Sequence, residues 1–306
     1  MQSLARRFFL GGCLTLPALR ALAQPAKSRL ILLGTAGGPR LWPDRAPPSQ
    51  VIVVNGAAYV VDCGNGVARQ MALAGVPLPS IRSVFITHQH SDHNADYGNL
   101  LLLGWAAGLL TKVDTYGPPP LEKMTRLFLE MNDYDIKIRM ADEGRPPFHD
   151  QIVPHEITQG GVLMQDGNVK VTAALTDHGM VKPAIAYRFD CPDRSIVISG
   201  DTRPSPNLVN LAKGADVLVH EVAYVPALEE MLRTVPFAAR MREHLLSAQS
   251  TAEEVGHTAT EAGVKTLVLS HFIPSGRPTV AEQTWRDAVK PHFSGTIVVG
   301  RDLMEI

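Results

Sequence analysis

The sequence has few cysteines, few aromatic residues and almost no net charge. Three cysteines in 306 residues do not indicate a disulfide framework. Cys63 and Cys191 each end a strand-like segment, so we expect them to be small buried residues. No apolar run is long enough to span a bilayer, which argues against stable membrane insertion. These absences exclude a disulfide-stapled scaffold and a membrane-spanning protein.

The bulk composition is that of a folded chain. Apolar residues make up 45% of the sequence and charged residues 19%, which excludes a disordered protein and supplies a sizeable core. The 25 glycines and 23 prolines are spread along the chain, a pattern typical of many short elements joined by turns. We therefore expect one large domain.

The first 23 residues differ from the rest. Arg6 and Arg7 precede a mildly apolar run, and residues 21–23 offer small side chains near a cleavage position. This pattern resembles a twin-arginine signal peptide and predicts export of residues 24–306 to the periplasm. The alternative is that residues 1–23 form an amphipathic helix or a membrane anchor.

The charge balance of the exported form bears on its partners. Removing the first 23 residues takes away three arginines and no acidic residue, which leaves 26 basic against 30 acidic residues. A net negative chain does not favour binding to a polyanion. We therefore expect that nucleic acid is not a partner.

One loop concentrates metal-binding chemistry. His88, His90, Asp92 and His93 fall within six residues, directly after the apolar run at residues 84–86. An irregular turn after a strand can aim the first two side chains one way and the last two another, which suits two ions side by side. A polar surface loop is the alternative, but a cluster this dense exceeds what solvation needs.

The remaining periodicity predicts strands and helices in alternation, typical of a helix-covered double sheet. Residues 132–150 look irregular, so we expect residues 121–148 to shape a substrate pocket or to serve as helix core, through Phe128, Met131, Tyr134 and Phe148. Strands are predicted at residues 29–33, 50–54, 58–62, 84–87, 169–176, 184–189, 195–199, 217–220 and 266–270, and helices at 67–74, 96–110, 121–131, 226–241 and 251–262.

The second half of the chain offers further ligands. His178, Asp201 and His271 each come just after an apolar, strand-like segment. Taken singly, His178 could be a turn residue, Asp201 a cap for the next segment, and His271 a strand-end histidine whose hydrogen bonds are already made. Jointly, polar side chains at strand ends on one rim of a sheet are what a shared site requires.

With these residues in view, the sequence resembles a metallo-β-lactamase superfamily hydrolase, most closely the ribonuclease Z and arylsulfatase-like branch. The motifs at residues 34–38, 199–202 and 267–272, together with His220-Glu221, carry the resemblance. It implies an α/β fold, a four-layer αββα sandwich. It also implies that one metal is held by His88, His90 and His178, the other by Asp92, His93 and His271, and that Asp201 bridges them.

The donor set of five histidines and two aspartates without thiolate favours two Zn²⁺ ions, although Mn²⁺ or Fe tolerates the same ligands. Two such ions would make a metal-bridging hydroxide available at neutral pH as the nucleophile. We predict that Asp92 and Asp201 are catalytic as well as metal-binding.

One departure from the family pattern concerns the leaving group. Relatives carry a His before Ser or Thr that is thought to donate a proton, and this chain has Gln249-Ser250 there. Gln cannot supply a proton. His244 is our candidate catalytic substitute, with a helix-end cation as its alternative role. His220-Glu221 is a candidate pair that orients a ligand.

These features predict an exported hydrolase of a small-molecule ester, namely a sulfate ester, a phosphodiester or a lactone. The alternative is a ribonuclease Z-like 3′ tRNA-processing endonuclease, which the motifs favour but export and the acidic balance do not. A metal-storing scaffold would show broken ligand sets, whereas all seven positions are intact. The helix-rich surface also allows a homodimer.

Overall fold

The computed structural model of the protein describes residues 27–306, so the predicted signal segment lies outside the described residues. Two seven-stranded mixed sheets pack face to face, and helices cover both outer faces. This confirms the predicted α/β class and layered sandwich. Among residues 27–306, no helix combines the length and apolar character needed to cross a membrane.

The first sheet comes from the N-terminal half and takes one short strand from the C-terminus. Its strands are β1 (Arg29–Gly34), β2 (Ser49–Val54), β3 (Ala57–Val61), β4 (Ile81–Phe85), β5 (Val113–Gly117), β6 (Ile152–Glu156) and β14 (Met304–Glu305). They lie in the order β14-β1-β2-β3-β4-β5-β6, with β3 to β6 parallel. The helices are α1 (Val67–Leu73), α2 (Ser91–Asn94), α3 (Tyr97–Ala106), α4 (Leu121–Met131) and α5 (Asp133–Glu143).

The second sheet repeats this plan. Its strands are β7 (Gly161–Gln165), β8 (Lys170–His178), β9 (Val181–Asp190), β10 (Ser195–Ile198), β11 (Val217–Ala223), β12 (Thr266–Ile273) and β13 (Thr296–Val299). They lie in the order β13-β12-β11-β10-β9-β8-β7, with β10 to β13 parallel. The helices are α6 (Pro206–Ala212), α7 (Val225–Leu232), α8 (Ala238–Ala248), α9 (Ala252–Ala262) and α10 (Glu282–Val289).

The central core lies between the two sheets. Phe85 of β4 stacks on Tyr116 with ring centroids 5.1 Å apart and meets Phe189 of the other sheet edge-on at 5.2 Å. The parallel strands β3, β10, β11 and β12 are mostly apolar and buried, and polar side chains of the two sheets cluster near their carboxyl ends. Those ends position the candidate site.

Two predicted segments are wrong. Residues 132–150, expected to be irregular, contain α5, whose Lys137 and Arg139 pair with acidic residues one turn away. Its apolar residues Tyr134, Ile136, Ile138 and Met140 recur at every second position, a spacing that does not indicate a helix. The single helix expected at residues 226–241 is two helices, α7 and α8, because Phe237 adopts a left-handed backbone with φ of 62°.

Candidate metal centre

The His- and Asp-rich loop follows β4 directly and ends in α2. Nε2 of the buried His88 lies 3.0 Å from Nδ1 of His90. The turn of α2 sends His93 elsewhere, so that its Nε2 lies 3.2 Å from Nε2 of His271. The loop therefore divides its side chains between two neighbouring groups.

The second sheet supplies the other candidates from its strand ends. His178 ends β8, and Asp201 follows β10 after Gly200, whose left-handed φ of 59° lets the chain turn beside Thr87. His271 lies within β12 at a register shift against β11 and has φ of 44°. A bulge of this kind re-aims one side chain, here toward the first sheet.

All seven predicted ligands converge. Asp201 lies between the groups, since its Oδ1 is 3.3 Å from Nε2 of His93 and its Oδ2 is 3.8 Å from Nε2 of His178. Within each group the candidate ligand atoms lie within 4.8 Å of one another, the first comprising His88, His90, His178 and Asp201, and the second Asp92, His93 and His271. We call these seven residues the metal floor.

The metal floor fits a divalent cation such as zinc. Oδ1 of Asp201 is buried without a hydrogen-bond partner among the described residues. Ring nitrogens of five histidines face one another at about 3 Å. A proton between two such nitrogens can serve only one pair, whereas a cation can accept the lone pairs of several at once. Imidazole and carboxylate donors are ordinary zinc ligands.

Asp62 is a site residue that the sequence reasoning missed. Its Oδ2 lies 2.8 Å from Nδ1 of His93, and it also accepts hydrogen bonds from the amide and hydroxyl of Thr87. This contact leaves Nε2 of His93 for a metal. A signal was available, since Asp62 follows a β-branched strand just as the predicted ligands do.

Burial and mutual charge shift the acidities of the metal floor. Burial would raise the pKa of Asp92, but His93 and His271 lower it to about 2. Burial would lower the pKa of His93, but Asp201, Asp62 and Asp92 raise it well above its usual range. Burial and the neighbouring His93 lower the pKa of His88, which keeps that imidazole neutral and able to bind a metal.

Gln249, at the position of the expected proton donor, contacts the metal floor directly. Its Nε2 donates to Oδ2 of Asp201 at 3.0 Å. Glu221 accepts from the amide of Ser250 at 2.7 Å, and burial together with Asp201 raises its pKa well above its usual range. Within the described residues, Glu221 therefore supports the backbone beside Gln249 and does not hydrogen-bond a predicted ligand; its role as an orienting residue stays a prediction.

His244 of α8 lies beside the first group. Its ring centroid is 5.8 Å from that of His178 and 6.2 Å from that of His90. It lines the cavity above the metal floor. Its catalytic role stays a prediction.

A cavity of about 390 Å³ opens onto Asp92, Asp201 and His271 of the metal floor. Most of its other lining is apolar. The predicted pocket at residues 121–148 is wrong, since no residue of that segment lines this cavity, and Met131 and Tyr134 are exposed. We call the following residues the apolar wall: Trp42, Met231, Val235, Met241, Leu245 and Ile273.

The comparisons with known proteins agree with this geometry. A family described as the beta-lactamase superfamily domain matches residues 58–272. Ribonuclease Z from Mycobacterium bovis (strain BCG / Pasteur 1173P2) is 36% identical over 280 residues, covering 90% of this chain and 97% of the relative. The crystal structure of the short form of human tRNase Z matches with a TM-score of 0.66 at 21% identity, covering 91% of this chain and 98% of that one.

These findings correct one prediction. The acidic balance led us to exclude nucleic acid as a partner, yet relatives of this similarity are named ribonuclease Z. The exclusion is wrong because net charge sums over the whole surface, whereas contact with a phosphate backbone depends on the local distribution of charge. Arg40, which lines the cavity and is exposed, is one such local cation.

Proposed function

We propose that this chain, which belongs to the metallo-β-lactamase superfamily and is a metal-dependent hydrolase related to ribonuclease Z, cleaves phosphodiester bonds of RNA as a 3′ tRNA-processing endonuclease. The observation that carries the proposal is the identity of 36% over 90% of this chain and 97% of the relative. The complete metal floor, with Asp201 between its two groups, supports it.

In this proposal His88, His90 and His178 would hold one zinc ion, Asp92, His93 and His271 would hold a second, and Asp201 lies close to both sets of ligands. Two divalent cations bound there would lower the pKa of water and stabilise charge on a phosphate oxygen. Gln249 holds Oδ2 of Asp201 through its 3.0 Å hydrogen bond.

The proton for the leaving group has to come from a residue of the cavity lining other than Gln249. Gln249 cannot donate a proton at neutral pH, because its amide does not ionise. We assign the leaving-group proton to His244, which lines the cavity beside His90 and His178. Nδ1 of His178 lies 2.9 Å from the carbonyl of Ala248 in the same helix, so α8 is tied to the metal floor.

The test is cleavage of a precursor tRNA that carries a 3′ trailer, using residues 24–306 loaded with zinc. We expect one cut at the trailer junction, and none with Asp201→Ala. Aryl sulfate, lactone and simple phosphodiester substrates should be turned over more slowly than the RNA. Turnover of one of these esters with an intact precursor tRNA would contradict the proposal.

A second candidate is an exported hydrolase of a small sulfate ester, phosphodiester or lactone. It is favoured by the twin-arginine-like residues 1–23 and by the apolar lining of the cavity. The same reading makes residues 24–306 the mature periplasmic hydrolase domain. Cell fractionation with N-terminal sequencing tests it. An uncleaved chain in the cytoplasm would contradict this second candidate and favour the RNA substrate. Light scattering tests the predicted homodimer.

A further inference from the structure

The cavity joins two surfaces of opposite character. Its base is the metal floor, and its sides are the apolar wall, which comes from three separate segments of the chain. A phosphoryl group alone needs only the floor. The wall therefore leaves room for a second, apolar part of the substrate.

One side of the wall is built around Trp42. Its ring lies so close to Gly276 that any side chain at position 276 would collide with it. Trp42 lies in the loop of residues 35–48, between β1 and β2. Asp302 holds both ends of this loop, because it accepts hydrogen bonds from the amide of Ala46 at 2.5 Å and from the hydroxyl of Thr35 at 2.7 Å. Trp42 is thus held in place before any ligand arrives.

The opposite side is formed by α7 and α8. Buried Leu228 and Leu232 pack with Ile273 of β12, and the partly buried Met231 and Leu245 join that cluster. Two flexible methionines, Met231 and Met241, face the same cavity as Trp42. Methionine sulfur makes favourable contacts with aromatic rings, which favours a planar aromatic group over a saturated chain.

We infer that the apolar wall is a subsite for a planar aromatic group carried by the scissile ester. A cavity of about 150 Å³ suffices for benzene, so about 390 Å³ admits a ring together with a phosphoryl group on the floor. The group is either a nucleobase next to the cleaved phosphate of RNA or the aryl group of a small ester. The inference rests on the proposed function in one respect, since that function decides which ester carries the ring.

Binding tests the subsite without requiring turnover. Of the three tryptophans, Trp105 and Trp285 are 1% and 2% exposed, so a ligand that enters the cavity should change the fluorescence of Trp42. We would titrate the zinc-loaded protein with diphenyl phosphate and with dimethyl phosphate. Diphenyl phosphate should bind at least about 10-fold more tightly, because its ring leaves water for the apolar wall.

Variants locate the effect. Met241 is 36% exposed and therefore tolerant of truncation, so Met241→Ala should reduce the preference for diphenyl phosphate about 3-fold or more. Trp42→Ala should do the same; because this variant lacks the fluorescent reporter, its affinities are measured by competition between the two phosphates. Leu41→Ala, next to Trp42 but 62% exposed and outside the cavity lining, should keep the wild-type preference. Equal affinity for the two phosphates, or a preference that survives both wall variants, would overturn the subsite.

Turnover then identifies the source of the ring. Three diesters with the same p-nitrophenolate leaving group are compared, bearing methyl, phenyl or thymidine as the other substituent. The highest kcat/KM for thymidine would assign a nucleobase, and the highest for phenyl an aryl ester. If diphenyl phosphate binds through Trp42 and Met241 while no diester or RNA is hydrolysed, the subsite stands and the proposed function fails.

Discussion

The metal floor and the apolar wall face the same cavity but are built differently. The floor lies at or near strand ends, and Asp62, Thr87 and Gln249 hydrogen-bond its members. Apart from Ile273 of β12, the wall stands on a loop and two short helices, which are joined at Phe237, a residue that is 86% exposed. A sheet edge fixes the floor, whereas the wall residues on the loop and the helices can change without disturbing the sheets. The residues that would hold metal and those proposed to select the substrate therefore lie mostly on separate parts of the chain.

The largest effect should come from the centre of the floor. Asp201→Ala removes the carboxylate that approaches both ligand groups, so we expect lost metal and no turnover above background. Metal analysis and kcat/KM measure this. Asp142→Ala, at an exposed position in α5, serves as the control. Full activity with two bound ions in the Asp201 variant would refute the assigned site.

His244→Ala asks whether the wall side contributes to chemistry. If His244 protonates the leaving group, kcat should fall about 100-fold for a diester with an alkoxide leaving group. It should change little for a p-nitrophenyl diester, whose leaving group needs no proton. His257→Ala is a matched control at an exposed histidine. Equal losses on both diesters would contradict the assignment and indicate a binding role.

Asp62→Asn tests the support behind the floor. The amide removes the charge that holds Nδ1 of His93, while Asn tolerates the left-handed φ of 60° at this position. We expect metal affinity to fall about 10–100-fold. A chelator competition assay measures it. Asp114→Asn removes a carboxylate from another Asp–His pair, with His155 at 2.8 Å, and should leave metal affinity unchanged.

The floor was accessible from the sequence and the wall was not. Strand ends recur in the sequence as apolar runs followed by His or Asp, and the carboxyl ends of parallel strands meet at one edge of a sheet. That logic brought His88 and Asp201 together across more than a hundred residues. It would also have found Asp62, which we read only as the end of a strand.

The wall has no such local signal. Trp42, Met231 and Ile273 belong to a loop, a helix and a strand end, and their convergence depends on tertiary packing alone. The expected pocket at residues 121–148 was placed where the sequence looked irregular. Phe148 takes the core role that the sequence analysis also allowed, with its ring 5.2 Å from that of Trp105. Apolar residues at helical spacing cannot distinguish a core contact from a pocket contact.

The smallest effect separates the wall from the floor most cleanly. Asp302→Ala removes two hydrogen bonds from the loop that carries Trp42 and none from a predicted metal ligand. Each such bond contributes about 1 kcal/mol to stability, and its loss loosens the loop. We expect the preference for diphenyl over dimethyl phosphate to fall, by about 3-fold if the looser loop costs the ligand about half of the 1.4 kcal/mol that a tenfold change needs, while metal content stays at the wild-type level. Asp193→Ala, which loses a carboxylate bonded to the amide of Ser28, is the control. Loss of metal from the Asp302 variant would mean that wall and floor are coupled, and the route would run through Thr35, whose hydroxyl donates to Asp302 and whose carbonyl accepts from the amide of Phe272 beside His271.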